Sequence, residues 1–332
     1  MNYILMHPLF ILFLIALGLF GFLVIGLVLA RRTIRYLIED LSLARHLIMS
    51  WFIAPVFRIY FLLLEISGKL QVTVNAHIPW EEKRLVFVGN HAMPKLQDTF
   101  LMPPIIFYRN LSKLRNPIRY FPFTIADEGN FVKNRFFRYF AGPHYLESVN
   151  RTAIGKMQAK SVIEGWKKRL MEISSFLIAN IEGGRTQSAE SWIFSKNGNK
   201  LGKPTRGIAI LVLETNSTVV SYWGSIVNVP YWKFSPQALF WKFLERIFRK
   251  YWQKIGFYTA RPKPCPQTVL WGLIELLFNP GIKAFIDINH PSGPIRPKVG
   301  EENSRELTAR IATALLEIGD YQLDRIQKGR KK

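Results

Sequence analysis

The sequence predicts an α/β fold, a central mixed sheet flanked by helices, preceded by N-terminal membrane helices. Three observations predict it. Tyr3 to Ala30 contain no Lys, Arg, Asp or Glu, and a spanning helix needs about 20 apolar residues to cross a hydrocarbon core of roughly 30 Å. From Leu70 onward, short β-rich runs alternate with longer amphipathic segments, the pattern of strands covered by helices. No internal repeat or low-complexity linker interrupts that second part. Residues 1–69 therefore read as membrane anchor and interfacial helix, and 70–332 as one folded domain.

Taken in order, the apolar run is followed by Arg31, Arg32 and Arg35, with no Lys or Arg ahead of it. The positive-inside rule then puts the downstream chain in the cytoplasm. A cleaved signal peptide would want basic residues before the run and a small-residue cleavage site after it. Leu47 to Ile66 form a second apolar stretch, rich in Trp51, Phe52, Tyr60 and Phe61 but interrupted by Pro55 and Arg58. An arginine at mid-bilayer costs at least ~2.5 kcal/mol, so this stretch predicts a helix lying in the interface rather than a second span. A core helix of the domain is the alternative.

Within the domain, strands are expected at Gln71 to Val74, Leu85 to Val88, Phe176 to Ile181, Thr218 to Trp223 and Ala284 to Ile288. Helices are expected around Arg135 to Phe140, Ala153 to Leu170 and Ser304 to Ile318. Between Pro236 and Ile255, Phe240, Phe243, Leu244, Ile247, Phe248, Tyr251 and Trp252 recur at helical spacing. Lys242, Arg246, Arg249 and Lys250 fill the complementary positions. That pattern suits a helix lying on an anionic membrane and equally one packed on the sheet with its charges in water.

The chain has 45 basic against 23 acidic residues, a net charge of +22, with 49% hydrophobic and 14% aromatic residues. Anionic lipid attracts juxtamembrane basic residues at about 1 kcal/mol each, so a basic, aromatic-rich chain fits a membrane surface. No zinc-finger spacing, Gly-Lys-Ser phosphate loop or aromatic ribonucleoprotein signature occurs, so nucleic acid is not an expected partner. Cys265 is the only cysteine, which excludes an intrachain disulfide and a cysteine-based zinc site and suits a reducing cytoplasm.

The candidate chemistry sits where strands end. The run Leu85 to Val88 leads into Gly89-Asn90-His91, with Asp98 downstream. A histidine past the carboxyl end of a strand lies where α/β sheets place reactive groups. A carboxylate on one ring nitrogen would fix its tautomer and leave the other nitrogen free to accept a proton. The run Phe176 to Ile181 leads into Glu182-Gly183-Gly184-Arg185-Thr186. Paired glycines allow close backbone approach to a ligand, and Arg185 offers a fork of donors suited to phosphate.

Together these blocks resemble the lysophosphatidic acid acyltransferase family of the glycerolphosphate acyltransferase superfamily. That family shows Asn-His-x4-Asp after a strand, then an Arg-ended strand, Phe-Pro-Glu-Gly-Thr-Arg-Ser, a basic and glycine segment and an apolar strand. Asn90-His91 with Asp98 resembles the first block and Tyr145 to Arg151 the second. Ala179 to Thr186 resembles the third, Lys203 to Gly207 the fourth, and Thr218 to Trp223 the last strand. The likeness runs from Leu70 to Ile318 in block order. Two departures stand out: six residues, Ala92 to Gln97, separate His91 from Asp98, and Gly184 replaces the family's Thr. Seven helical steps would rise about 10.5 Å, so a working dyad needs a loop here, which Pro94 favours.

The resemblance implies transfer of a fatty acyl group from an acyl thioester, on coenzyme A or acyl carrier protein, to the hydroxyl of a lysophospholipid or glycerol-phosphate acceptor. His91 would be the general base and Asp98 its orienting carboxylate. Asn90, Arg151, Glu182, Gly183, Gly184 and Arg185 would form the acceptor site. No metal or organic cofactor is implied, and the partners are membrane lipid and the thioester donor. The alternatives are a non-enzymatic basic protein binding membranes or nucleic acid through a decayed site, and a hydrolase using the same histidine on water.

Overall fold

The computed structural model describes residues 56, 58–90, 102, 105–106, 123–127, 146–149, 163–173, 176–182, 192–258 and 265–330. The expected spanning run Tyr3 to Ala30 and the expected helix Arg135 to Phe140 lie outside them. Among the described residues no helix is long and apolar enough to cross a membrane.

Seven strands form one mixed sheet flanked by helices. They are β1 (Leu70–Val74), β2 (Leu85–Gly89), β3 (Phe123–Asp127), β4 (Leu146–Val149), β5 (Leu177–Asn180), β8 (Thr218–Asn228) and β9 (Ile282–Ile288). Their spatial order is β1-β9-β8-β2-β5-β3-β4, and a separate hairpin joins β6 (Trp192–Phe194) to β7 (Lys200–Gly202). From β8 through β2, β5, β3 and β4 every neighbour is parallel, whereas β9 runs antiparallel to β8 and β1 follows β9. The chain leaves β2 for β3 and β4, returns to insert β5 between β2 and β3, then crosses to β8 on the far side of β2. This reversal beside β2 is the kind of switch point at which open α/β sheets bind ligands, outside the strands' carboxyl ends.

Four helices are described in full: α1 (Gly207–Thr215), α2 (Pro236–Lys254), α3 (Pro266–Phe278) and α4 (Ser304–Arg330). All five residues of β2 are buried, as expected of a strand covered on both faces. On one face Leu85, Phe87, Val220, Tyr222 and Ile286 pack with Leu276 of α3 and with Phe61 and Leu64 of helical residues 58–66. On the other, Val86, Val88, Val219 and Trp223 pack with Leu211 and Val212 of α1 and with Leu307, Ile311, Leu315 and Ile318 of α4.

The five expected strands are all present; β9 begins two residues earlier than expected, at Ile282, and β8 and α4 run well beyond what the pattern predicts. β8 continues from Trp223 to Asn228 because its second half pairs antiparallel with β9, from Tyr222↔Ile288 to Asn228↔Ile282. That ladder carries the strand through Gly224 and Ser225, which break the apolar run. α4 continues past Ile318 because its later turns have polar partners. Gln322 Nε2 and Arg325 each donate to the buried Asp287 carboxylate of β9 at 2.6 Å. Gly319 permits the close approach, since a Cβ there would lie 2.9 Å from the Trp223 ring.

Sequence periodicity missed α1, whose GIAILVLET run is apolar on every side and so fits a buried strand as well as a helix. Of the expected helix Ala153 to Leu170, residues 163–168 are helical and pass into a π-helical turn at Arg169–Ile173. Of the stretch Leu47 to Ile66, residues 58–66 are helical and one face joins the core, with Tyr60 donating to the Leu273 carbonyl at 2.8 Å. The core-helix alternative holds for that face, while Ile59, Leu62 and Ile66 are exposed.

Candidate active site

Two strands carry the candidate motifs, and they are neighbours. β2 and β5 pair in parallel with Gly89 opposite Asn180. The ladder closes just beyond, where Ile181 N donates to Gly89 O at 3.1 Å. The chain therefore enters His91 and Glu182 from adjacent strand ends, about 4.8 Å apart at the usual strand spacing. On the other side of β5, β3 and β4 end at a similar level, with Thr124 opposite Ile178 and Asp127 opposite Val149. β4, which ends two residues before Arg151 in the sequence, lies two strand spacings from β5, roughly 10 Å.

Gly89 is a glycine for a steric reason. Tyr222 of β8 lies directly beside it in register, and its ring crosses β2 so that the hydroxyl donates to Asn180 Oδ1 at 3.0 Å. A Cβ on Gly89 would lie 2.0 Å from Tyr222 Cε2, inside the ring's own volume. One side chain thus ties three strands together, the middle of β8 to the end of β5 across the end of β2.

Asn90 continues the ladder with its side chain instead of its backbone. Its Nδ2 donates to the Gly224 carbonyl at 2.9 Å, and the Gly224 amide donates to its Oδ1 at 2.8 Å. A carboxamide has the same donor and acceptor pair as a peptide, so it satisfies the β8 edge while the main chain is released toward His91. Expected among the substrate-binding residues, Asn90 is 1% exposed with both ends of its amide engaged by Gly224; it is a fixture of the strand end.

The basic segment arrives at the same place. Thr205 N and Oγ1 both donate to the Ile181 carbonyl, at 2.8 and 3.1 Å, which pins Lys203 to Gly207 against the end of β5. Lys203 and Arg206 are exposed there. α1 starts at Gly207 with no side chain capping its first turn, so its positive dipole end adds to theirs. An anionic group is the ligand such a mouth attracts.

Of the sequence-predicted site residues, Asn90 and Glu182 are described. Glu182 follows Ile181 at the mouth and is partly buried. His91, Asp98, Arg151, Gly183, Gly184 and Arg185 lie outside the described residues. No known protein family matches the chain, and no curated protein matches it either. The residues that sequence reasoning missed are Asn180, Thr205 and Tyr222. Gly89 was their one local signal, because a glycine ending an apolar strand often marks a close approach. Nothing local says that the approaching group is Tyr222.

Proposed function

We propose that the chain is a membrane-bound acyltransferase. It moves a fatty acyl group from an acyl thioester to the hydroxyl of a lysophospholipid or glycerol-phosphate acceptor. The observation that carries the reading is the adjacency of β2 and β5 beside the switch point, joined by the Ile181–Gly89 hydrogen bond. Two motifs far apart in the chain then open from neighbouring strand ends at the edge where such sheets work. Exposed Lys203 and Arg206 at that mouth suit a phosphate-bearing acceptor.

In this mechanism His91, oriented by Asp98, takes the proton of the acceptor hydroxyl as its oxygen attacks the thioester carbonyl. The tetrahedral oxyanion collapses, the carbon–sulfur bond breaks, and the imidazolium returns its proton to the leaving thiolate. Acyl group and proton are both accounted for without a covalent enzyme intermediate or a cofactor. Arg151 and Arg185 bind the acceptor phosphate, Glu182, Gly183 and Gly184 shape the pocket, and Asn90 holds the turn that presents His91. The apolar run Tyr3 to Ala30 anchors the chain, with the domain on the cytoplasmic side.

The test is purified full-length protein with radiolabelled acyl-coenzyme A or acyl carrier protein and a panel of lysolipids. His91→Ala should lower transfer by at least ~10²-fold with lipid binding kept, the low end for losing a positioned base. Asp98→Asn should be severely impaired, and the double variant no worse than the worse single, because the two act as one unit. Near-normal transfer in both single variants would sink the mechanism. Release of free fatty acid without acceptor would assign a hydrolase instead.

A further inference from the structure

The surface of α2 is built with three faces. At 3.6 residues per turn each residue advances about 100°, which sorts the helix into an inner stripe, a basic stripe of Lys242, Arg246 and Arg249, and an outer apolar stripe that gives way to Lys250 and Lys254 in the last turns. The inner stripe is already satisfied. Trp241 and Trp252 stack at 5.5 Å, and Phe248 meets Trp271 of α3 at 4.7 Å, in a cluster that includes Phe257. The outer stripe, Leu239, Phe243 and Ile247, repeats every fourth residue with Phe243 56% and Ile247 54% exposed. The loop leading into the helix adds Trp232 and Phe234, each 69% exposed.

Charge says what covers this surface. From Tyr231 to Lys254 the basic residues are Lys233, Lys242, Arg246, Arg249, Lys250 and Lys254, against the single acid Glu245. A second copy of the chain would set that positive face against itself. An anionic bilayer complements both stripes, apolar rings entering the acyl boundary and cations meeting headgroups. Continuity points the same way. Helical residues 58–66 expose Ile59, Leu62 and Ile66, and they pack on α3 through Tyr60. α3 in turn packs on α2 through Phe278 and Trp271.

The surface also lies on the site's side of the sheet. β8 runs parallel to β2, and Asn228 is six residues past Tyr222, the partner of Gly89, so the strand overhangs the β2 end by roughly 20 Å. Trp232 and Phe234 follow that overhang.

We propose that Trp232, Phe234 and the Leu239–Phe243–Ile247 stripe of α2 form a second membrane contact, seated in an anionic bilayer surface on the side from which the β2 and β5 strand ends open. This deepens the membrane-acting reading above and rests on it only for the lipid nature of the acceptor. α2 would lie in the headgroup boundary, its apolar side roughly 5–10 Å deep, and a lipid acceptor would approach the strand ends along the β8 overhang without leaving the membrane.

The experiment uses full-length protein reconstituted in phosphatidylcholine–phosphatidylglycerol vesicles containing nitroxide-labelled lipid. Phe243→Cys, in a Cys265→Ser background, carries an environment-sensitive fluorophore, and Glu301→Cys serves as the control. The expected result is at least twofold stronger quenching at position 243 than at 301, reduced by adding Lys242→Glu and Arg246→Glu. This readout needs no catalysis, so it survives failure of the acyltransferase reading and can fail while that reading stands. Equal quenching at the two positions would overturn the proposal. So would a label at 243 already shielded before lipid is added, which would assign the surface to the chain's own N-terminal residues. Energy transfer between labelled copies with no lipid quenching would assign it to a second copy and overturn it too.

Discussion

The carboxyl end of β2 and the outer face of α2 are linked by the β8 overhang and built on opposite rules. At the first, every described group is committed. Tyr222 fills the space that a Gly89 side chain would need, Asn90 is bonded to both polar atoms of Gly224, and Ile181 is held by Gly89 and by Thr205. At the second, large apolar side chains stand in solvent beside lysines and arginines, although the same helix buries Trp241 and Trp252 on its other side. The difference separates two uses of side chains. Over-determined contacts hold a strand end to one geometry. An apolar stripe without a partner among the described residues adds nothing to their packing and is available to something outside it.

Substitutions should divide along that line. The largest effect is expected from Gly89→Ala, which forces Tyr222 off its seat and breaks its bond to Asn180. Overpacking of that kind costs about 3 kcal/mol at its upper end, to be read as a lowered denaturation midpoint in detergent. An unchanged midpoint would mean that the Tyr222 bridge does not hold the site. Asn90→Ala comes next at about 2 kcal/mol, because it strands the buried Gly224 amide and carbonyl.

Lys69 sharpens the contrast with a buried charge. Its Nζ donates to the Asn279 and Ile282 carbonyls just beyond α3, and burial, helped by Lys283, lowers its pKa to about 8 from 10.5. Below pH 8 the lysine is protonated in both folded and unfolded chains, and the fold bears the full cost of the buried charge. Between about 8 and 10.5 only the unfolded chain keeps the proton, so this contribution to stability rises with pH. The thermal midpoint should therefore climb over that interval relative to Lys69→Met; parallel curves would remove the claim. The smallest effect belongs to α2. Phe243→Ser with Ile247→Ser should change folding stability by less than ~0.5 kcal/mol, the usual range for surface positions, and a large loss would show that the stripe packs inside the protein.

By itself the sequence determined whatever depends on local period and composition. The apolar runs of β2 and β5, the stripe Leu307, Ile311, Leu315 and Ile318 and the amphipathic character of α2 were all legible, because each is written within one short contiguous segment. Tertiary structure decided what lies opposite. Periodicity could not say that β5 inserts beside β2 and so brings Asn90 next to Ile181, because strand order is set by which long-range pairing buries the most surface, with no local mark. Nor could it say that Asn90 serves Gly224, since an amide's partners depend on which backbone groups the neighbouring strand leaves open. On α2 the sequence showed too many apolar residues for one face. Only the packing of Trp241, Phe248 and Trp252 against α3 revealed which of them had a partner inside the fold and which, at Leu239, Phe243 and Ile247, had none among the described residues.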